Sequence, residues 1–325
     1  MARGALEWYV QFHDPAFPIL YRPAHETIKL DADNPDNPYL KAVIDGRHEY
    51  RLKGQRGSVD YLSMATSRGS YAENFTQVET GFLDGDKLAI EADGTFEVII
   101  SEQQHSGNWL PVSKDSESLL IRQTYRHREL EEPAEITIER LNTDAVPAPL
   151  ELMTAIAHFE KAIAFYRNTT RMFADWSQKI SEQPNTLPLW DQAFCQRVGG
   201  DPNILYYHGH FKLQTDEAMV ITLPEIPKCQ TWNIQVDNYW MESLDYRYHR
   251  VSLNQAQAEV SHTGSVTIVL SGVNPGCSNW ISTAGHREGT LCFRWVGAEG
   301  CVDPQVVVTP LNKVLDNKHL GLSRT

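Results

Sequence analysis

The feature that most constrains this chain of 325 residues is an internal repeat. The motif Gly107–Leu110, Gly-Asn-Trp-Leu, has a counterpart in Ser278–Ile281, Ser-Asn-Trp-Ile, and a strand-like run precedes each, at residues 94–101 and 264–271. The further matched pairs are Tyr50 with Ile221, Tyr61 with Trp232, residues 119–122 with 291–294, and residues 133–138 with 304–309. Most of these pairs lie 171 residues apart, so the sequence predicts two copies of one fold.

The runs within each half have the two-residue period of half-buried β-strands. Trp232, Ile234 and Val236 face one way, and the polar residues between them face the other. Turn formers such as Asn274–Gly276 separate these runs. We therefore expect a mainly β fold with a helical connector, in which two related antiparallel halves form β-sandwich or jelly-roll-like structures.

The chain divides into four predicted segments. We expect residues 1–30 to form a helical N-terminal segment, 31–145 the first β-sandwich half, 146–198 the helical connector and 199–325 the second half. Apolar residues in the connector recur at helical spacing, which predicts an amphipathic helix, or a helix pair, packed against at least one half. These residues are Leu152, Ile156, Phe159, Ile163, Tyr166 and Met172.

The second half carries an ordered set of motifs. Asp-Glu-Ala at residues 216–218 leads to Trp232, and Asn-Trp at residues 279–280 is followed by residues 289–295, which end in Arg-Trp. In this order the motifs resemble the domain-of-unknown-function 1214 family, and the first half looks like a degenerate related copy. The resemblance implies a jelly-roll-like β fold and is compatible with oligomerisation, but it implies no activity and no catalytic residues. Residues 281–282, Ile-Ser, depart from the Asn-Trp-Leu-Asp form common in the family.

The densest group of chemically active side chains lies in residues 238–250. This stretch supplies carboxylates, phenols, an imidazole and cations, which together form an acid–base repertoire. In an extended strand Asp245, Arg247 and His249 share one face, so Asp245 could orient His249 while Arg247 binds a substrate oxygen. The alternative is a polar edge strand whose charged side chains form cross-strand ion pairs.

His208 and His210 form a His-x-His pair whose side chains project from one face of a strand. This spacing can place two nitrogens on one metal ion, but a third ligand would have to come from elsewhere in the fold. We expect no metal here. The alternatives are polar strand residues backed by an apolar face, or metal-free general acids and bases that work near neutral pH.

The Asn-Trp pair and one strand arginine, Arg122 or Arg294, occur in both halves. Because a feature present in both copies serves the fold more economically than a site, we expect Asn to close a turn and Trp to plug the end of the sheet. A buried arginine needs a carboxylate partner or a bound anion, and we favour structural pairing.

Charge and cysteine content exclude several classes of function. The net charge of −13 disfavours nucleic acid and anionic lipid as partners. No run of apolar residues is long enough to span a membrane, and no signal-peptide core follows Met1. The five cysteines include no C-x-x-C pair and predict reduced thiols in the cytoplasm, although a Cys292–Cys301 disulfide is the alternative. No nucleotide-binding or flavin-binding motif occurs, so we expect no organic cofactor.

These observations favour an enzyme that uses general acid–base chemistry on a small apolar or aromatic molecule, as a lyase, isomerase or hydrolase. His208 or His249 would be the base, Tyr239 the proton donor and Arg247 the anchor for an anionic substituent. The alternative is a non-catalytic module for small-molecule binding or homo-oligomeric assembly. The catalytic candidates are His208, His210, Tyr239, Glu242, Asp245 and His249, and the substrate-binding candidates are Tyr206, Trp240, Tyr246, Arg247, Tyr248 and Arg294.

Overall fold

The structure, a computed structural model, describes residues 1–73 and 75–316, and the chain forms two compact units. The first unit contains residues 1–28, 36–172 and 196–199, and the second contains residues 29–35, 173–195 and the chain from Gly200 onward. Residues 317–325, which we assigned to the second half, lie outside the described part. The segment boundaries expected from the sequence stay predictions.

The first unit is built from two sheets whose apolar faces share one core. Its strands are β1 (Tyr39–Val43), β2 (Tyr50–Gln55), β3 (Tyr61–Arg68), β4 (Val78–Asp84), β5 (Thr95–Ser101), β6 (Trp109–Pro111), β7 (Ser118–Thr124) and β8 (Glu135–Arg140). Among the described residues, one sheet has the order β1-β7-β3-β4 and the other β6-β5-β2-β8. A 3-10 turn, Gly85–Lys87, follows β4.

The second unit repeats this architecture around a larger core that contains Trp232, Phe293 and Trp295. Its strands are β9 (Ile204–Lys212), β10 (Glu217–Leu223), β11 (Thr231–Val236), β12 (Ser252–Asn254), β13 (Val266–Ser271), β14 (Trp280–Ser282), β15 (Glu288–Val296) and β16 (Gln305–Pro310). Within the described part, its sheets have the orders β12-β11-β15-β9 and β14-β13-β10-β16. The predicted fold class of two related β-rich halves is therefore confirmed.

Two details of the sequence prediction are wrong. Each half contains one parallel pair, β5 with β6 and β13 with β14, so the halves are not purely antiparallel. The offset between the halves is also not constant, because equivalent loops differ in length. When Arg122 on β7 is matched with Arg294 on β15, their partners on the neighbouring strands match Ser63 with Asn233 and Tyr39 with Tyr206.

These register matches correspond to offsets of 172, 170 and 167 residues. The expected match of Tyr61 with Trp232 is therefore wrong. At the offset of 170 that applies to β3 and β11, Trp232 matches Leu62, and both side chains lie in a core. A shift of one residue exchanges the two faces of a strand, so an error of one in the offset changes which residue is buried.

The helices are α1 (Ala2–Leu6), which continues into a π-helical turn (Glu7–Gln11), α2 (Leu152–Ser181), α3 (Gln192–Arg197) and α4 (Leu311–Asp316). Helix α2 confirms the predicted helical connector. Residues 12–30, all of them described, form no helix. Among the described residues, no helix combines the length and apolar character needed to cross a membrane.

Helix α2 packs mainly through residues other than those predicted. Phe165, Phe173 and Ile180 are buried, whereas most of the apolar residues predicted to face the β halves are exposed. A 30-residue helix with many apolar residues offers more than one apolar face, and periodicity does not tell which one is covered. The exposed side chains, called the exposed stripe below, are Leu152, Ile156, Phe159, Ile163 and Tyr166.

Candidate functional site

One face of the second unit's β12-β11-β15-β9 sheet is polar, although most of it is buried. Strand alternation directs residues such as Ile234 and Phe293 to the core and sends polar side chains to the opposite face. Together with Asp237, which follows β11, these side chains form what we call the polar face. Its members are Tyr206, His208, His210, Asn233, Gln235, Asp237, Thr290, Cys292 and Arg294.

Residues 29–35, which belong to the same unit, lie over the polar face and bond to it. Arg294 donates one hydrogen bond to the Ala32 carbonyl and another to the Gln235 side-chain oxygen, each 2.5 Å long. Gln235 in turn donates to the Asp33 carbonyl at 3.0 Å. The expected structural role of Arg294 is thus supported, since its guanidinium holds this covering segment by hydrogen bonds.

The covering segment is itself fixed by a buried carboxylate. Asp33 accepts hydrogen bonds from the backbone N–H and the hydroxyl of Ser243, and Lys29 lies 3.4 Å from its second oxygen. Burial raises the pKa of Asp33 even though the nearby Lys29 and these hydrogen bonds oppose the shift. The segment also contains Ala32 in the left-handed region, with φ of 46°. A non-glycine residue in this conformation carries strain that its surroundings must offset.

Asp237 is the most perturbed acid of the polar face. It is fully buried, and burial raises its pKa to about 7, although a hydrogen bond of 2.6 Å from Gln235 to Oδ1 opposes the shift. Its other oxygen, Oδ2, has no hydrogen-bond partner among the described residues. A carboxyl group with a pKa near 7 can gain and lose a proton at physiological pH, which is the property of a general acid or base. No sequence motif marks Asp237, which is notable only for its place at the end of a strand.

The two histidines of the His-x-His pair are both buried and differ in their surroundings. The His208 ring lies edge-on to Trp176 with centroids 4.9 Å apart, and burial, reinforced by the charge of Arg294, lowers its pKa to about 3. His210 lies edge-on to Tyr239 at 6.1 Å, and burial lowers its pKa as well. In the part of the chain that is described, neither ring nitrogen of His210 has a hydrogen-bond partner.

Gly209 explains how β9 presents these two histidines. A Cβ atom at this position would lie 2.2 Å from the Thr186 carbonyl oxygen, so only glycine lets the preceding chain run close to the strand. That chain bonds to the free edge of β9, with the Asn185 N–H donating to the His210 carbonyl at 2.6 Å. The covered edge fixes the strand and therefore the direction of both imidazoles.

An open cleft of about 590 Å³ lies at the end of the polar face, beside His210. Its aromatic wall is Tyr239 with Trp240, whose rings meet edge to face at 4.9 Å, and the Trp240 side chain is 51% exposed. Lys212 and Glu288 lie on it as an ion pair at 3.6 Å. The lining residues are Lys212, Leu213, Gln214, Asn238, Tyr239, Trp240, His286, Arg287 and Glu288.

Residues 238–250 form turns and not the extended strand on which the predicted catalytic cluster depended. Met241 has a φ of 59°, which breaks any strand at that point. Asp245 accepts two hydrogen bonds from Arg247, at 2.9 and 2.7 Å, and these bonds lower its pKa to about 2. The extended strand that would let Asp245 orient His249 is therefore wrong, because Asp245 and Arg247 bind each other and His249 is exposed. The catalytic and substrate-binding roles of these residues stay predictions.

The remaining candidates in this loop are held by local contacts. Glu242 accepts a hydrogen bond of 2.9 Å from the Asn238 amide, and Lys29 lies 4.0 Å from the ring centre of Tyr246. Tyr248 is 77% exposed. Of the predicted site residues, the structure places Tyr206, His208, His210 and Arg294 together on the polar face, with Tyr239 and Trp240 next to them. It places Arg247, Tyr248 and His249 on an exposed part of the loop.

The comparisons with known proteins match both halves of the chain. The sequence profile described as "Protein of unknown function (DUF1214)" matches residues 33–128 and 209–299, which together exceed half the chain. The chain belongs to the DUF1214 family. The first half, expected to be a degenerate copy, is thus matched by the same profile as the second.

Two solved structures resemble this DUF1214 protein along most of its length. The crystal structure of an uncharacterized protein from Burkholderia cenocepacia is 46% identical with a TM-score of 0.94, covering 96% of this chain and 87% of that one. The VPA0106 protein from Vibrio parahaemolyticus is 10% identical with a TM-score of 0.52, covering 94% and 98%. The second likeness shows the fold alone. A comparison with curated proteins finds no match.

The Asn-Trp motif of the DUF1214 chain makes the same contacts in both matched regions. Asn108 exchanges two hydrogen bonds of 2.8 Å with the backbone of Ala89, and Asn279 does the same with Glu259. The indole nitrogen of Trp109 donates to Ser101, and that of Trp280 donates to Ser271. These equivalent contacts support the expected structural role of the motif.

The first unit of the DUF1214 chain has a cleft of its own, of about 510 Å³, which the sequence did not reveal. His13 lines it, and burial lowers the pKa of this imidazole to about 4. The Tyr9 hydroxyl lies 2.6 Å from the Ser70 hydroxyl at the same cleft. Its residues come from several separate segments, so no local motif marks it. Lys41, Glu73, Glu117 and Lys161 also line it.

No group of three or more His, Cys, Asp or Glu side chains within residues 1–73 and 75–316 could hold a metal ion. His208 and His210 point to one face as predicted, but no third donor joins them among these residues. All five cysteines are free thiols, so the alternative of a Cys292–Cys301 disulfide is wrong. Burial raises the pKa of Cys292 to about 12, which leaves this thiol protonated and unreactive at neutral pH.

Proposed function

We propose that this DUF1214 protein is an enzyme that performs general acid–base chemistry on a small, largely aromatic molecule in the cleft of the second unit. The observation that carries the proposal is His210. Its imidazole is buried, and neither nitrogen has a partner among the described residues. The ring contacts Tyr239, which lines an open cleft. Buried polar atoms are normally hydrogen-bonded, and a substrate group is a partner that such a site can be built to receive.

The cleft supplies the other parts that such chemistry needs. A flat substrate would stack on the exposed indole of Trp240, while Arg287, on the rim, would bind an anionic substituent in place of Arg247. His210 would take a proton from the substrate, and the Tyr239 hydroxyl would donate one. Tyr239 would have to turn aside for the substrate to reach His210, since Tyr239 lines the cleft and contacts the imidazole whereas His210 does not line it. The reaction class would be lyase, isomerase or hydrolase, with no organic cofactor.

The first test uses small aromatic probes and two variants. Indole, benzoate and phenylacetate are added singly to the protein, and binding is followed by the melting temperature and turnover by NMR of the mixture. A probe or derivative that is turned over should lose about 10²–10⁴ in kcat/KM in His210→Gln while its binding persists. Trp240→Ala should lose the binding itself. His262→Gln, an exposed histidine outside the cleft, is the matched control.

The second candidate function is non-catalytic binding of the same kind of molecule. The exposed aromatic wall of Trp240 with Tyr239 favours it, because such walls bind flat ligands without any proton transfer. In this case the probes bind, Trp240→Ala abolishes binding, and no product forms. If His210→Gln turns over a substrate at the parental rate, the catalytic role of His210 is contradicted and the binding proposal remains.

We also propose that the protein works in the cytoplasm. The five free thiols suit a reducing compartment, where disulfides are rare. The exposed thiol of Cys301 lies 2.7 Å from the Tyr207 hydroxyl, and an oxidising compartment would modify such a thiol.

A further inference from the structure

The exposed stripe of helix α2 is a surface that the proposed function does not use. Its side chains are large and apolar, and their exposed fractions run from 41% at Ile156 to 73% at Leu152. A contiguous apolar patch of this kind is uncommon on a protein that acts alone. Other side chains of the helix, among them Phe165 and Phe173, are buried and anchor it, so the stripe is not needed for that purpose.

The spacing of the stripe indicates what kind of surface covers it. From Leu152 to Tyr166 the steps are four, three, four and three residues, which is the 3.5-residue period of a coiled-coil seam. Such a seam meets its complement in another helix with the same spacing, because each side chain fits between four residues of the facing helix. A helix with the same spacing is therefore the surface that fits the stripe best.

The charges along the helix favour a second copy in the opposite direction. Although the chain carries a net charge of −13, residues 151–171 contain two acidic and three basic side chains, so two copies can approach here with little repulsion. The acids Glu151 and Glu160 lie toward the N-terminal end, and Arg167 and Arg171 toward the C-terminal end. Antiparallel packing sets the acidic end of each helix against the basic end of the other, and it also aligns opposite helix dipoles.

We propose that two copies of the chain associate through the exposed stripe as an antiparallel, two-fold symmetric helix pair, with Phe159 of each copy beside Ile163 of the other. A two-fold axis lets one stripe serve as both surfaces of the interface. The stripe from Leu152 to Tyr166 is about 21 Å long. A helix pair of this length buries less surface than the roughly 800 Å² per partner of a standard interface, so we expect the dimer to dissociate in the micromolar range.

The first test measures the mass of the full chain by sedimentation between about 1 and 100 μM. The mass should rise from 36.9 kDa toward twice that value. Ile163→Lys should weaken the dimer by at least about tenfold, because it buries a charge in the seam. Ala157→Lys, on the same exposed stretch but outside the stripe, should leave the dimer unchanged. A wild-type chain that stays monomeric at 100 μM, or a dimer unaffected by Ile163→Lys, would overturn the proposal.

The second test distinguishes antiparallel from parallel packing by which pairs of positions cross-link. In a Cys301→Ser background, which removes the exposed thiol, Phe159→Cys and Ile163→Cys are prepared separately. Mild oxidation of the mixture should give the mixed disulfide, while each variant alone should cross-link poorly. Fast cross-linking of each variant with itself would show parallel packing and overturn the proposed arrangement.

Discussion

The two units share a frame, but the outer faces of their equivalent sheets have opposite characters. By register, Lys41 and Val43 on β1 hold the places that His208 and His210 hold on β9. In the first unit these positions line an open cleft with several charged residues, and in the second they belong to a buried polar face. The duplicated sheets thus provide a scaffold, while the side chains on their outer faces decide what kind of site forms there.

The β framework that the two units share includes one arginine in each, Arg122 on β7 and Arg294 on β15. Arg122 donates to the Gly199 carbonyl as Arg294 donates to the Ala32 carbonyl. Gly199 and Ala32 are 167 residues apart, which is also the offset between β9 and β1. Each arginine therefore fastens an equivalent covering segment to the outer face of its own unit. The two arginines therefore have the same structural role, and the chemical difference between the units comes from the side chains around them.

The largest predicted effect tests the shared frame. Trp109→Ala and Trp280→Ala should each lower the free energy of unfolding by about 2–4 kcal/mol, because each removes a partly buried indole and its hydrogen bond to a serine. Chemical denaturation measures both values. The expected loss is smaller than for a fully buried tryptophan, since both indoles keep some exposure. A large loss in one half and none in the other would break the structural equivalence of the two motifs.

The β framework could be predicted from the sequence because it depends on local and repeated features. Asn108 and Asn279 make equivalent hydrogen bonds to the backbone of an earlier segment, so the same residues recur and the repeat becomes visible. The strand offsets were harder to predict, since loop lengths change them by one to several residues and a change of one reverses the buried face. Tyr61 was matched with Trp232 for this reason, although Leu62 holds the equivalent place.

The site was predicted only in part because its geometry depends on distant residues. The His-x-His pair was found from its spacing, but the burial of Asp237 depends on a segment some two hundred positions earlier in the chain. Residues 238–250 read as a strand because polar and aromatic residues alternate there. The left-handed conformation of Met241 and the local Asp245–Arg247 pair instead make turns, and no pattern of polarity reveals them.

The second predicted effect tests the difference between the outer faces. Burial raises the pKa of Asp237 to about 7, whereas an unfolded Asp has a pKa of about 3.9. Between these values the folded protein holds a proton that the unfolded chain has released, so this group's contribution to stability falls as pH rises from about 4 to about 7. Asp237→Asn stays neutral. Its stability relative to wild type should therefore rise with pH and gain about 1–3 kcal/mol by pH 8.

The measurement is the difference in unfolding free energy between Asp237→Asn and wild type at several pH values. A difference is needed because His208 acts in the opposite direction. The pKa of His208 is lowered to about 3, so the contribution of this histidine to stability is lost as pH falls from about 6.5 toward that value. Ser67→Ala, near the equivalent place in the first unit, should show no such dependence on pH. A flat difference for Asp237→Asn would remove Asp237 as a titrating group and leave the two outer faces more alike than proposed.

The smallest predicted effect concerns a loop that is longer in the second unit than in the first. Residues 237–251 join β11 to β12, whereas residues 69–77 join β3 to β4 in the first unit. The sequence marked His249 as a catalytic base in this loop, but its side chain is exposed and Asp245 is bound to Arg247. His249→Ala should therefore change the free energy of unfolding by less than about 0.5 kcal/mol, as exposed substitutions do, and should leave turnover of any identified substrate at the parental rate.

Asp245→Asn should also leave turnover unchanged, since an exposed pair of this kind contributes little. Parallel assays of these variants and of His210→Gln show whether the chemistry lies at the polar face or at the exposed end of the loop. If His249→Ala loses activity and His210→Gln keeps it, the exposed end of the loop is the site, and the difference between the two units lies in the length of this loop instead of in the polar face.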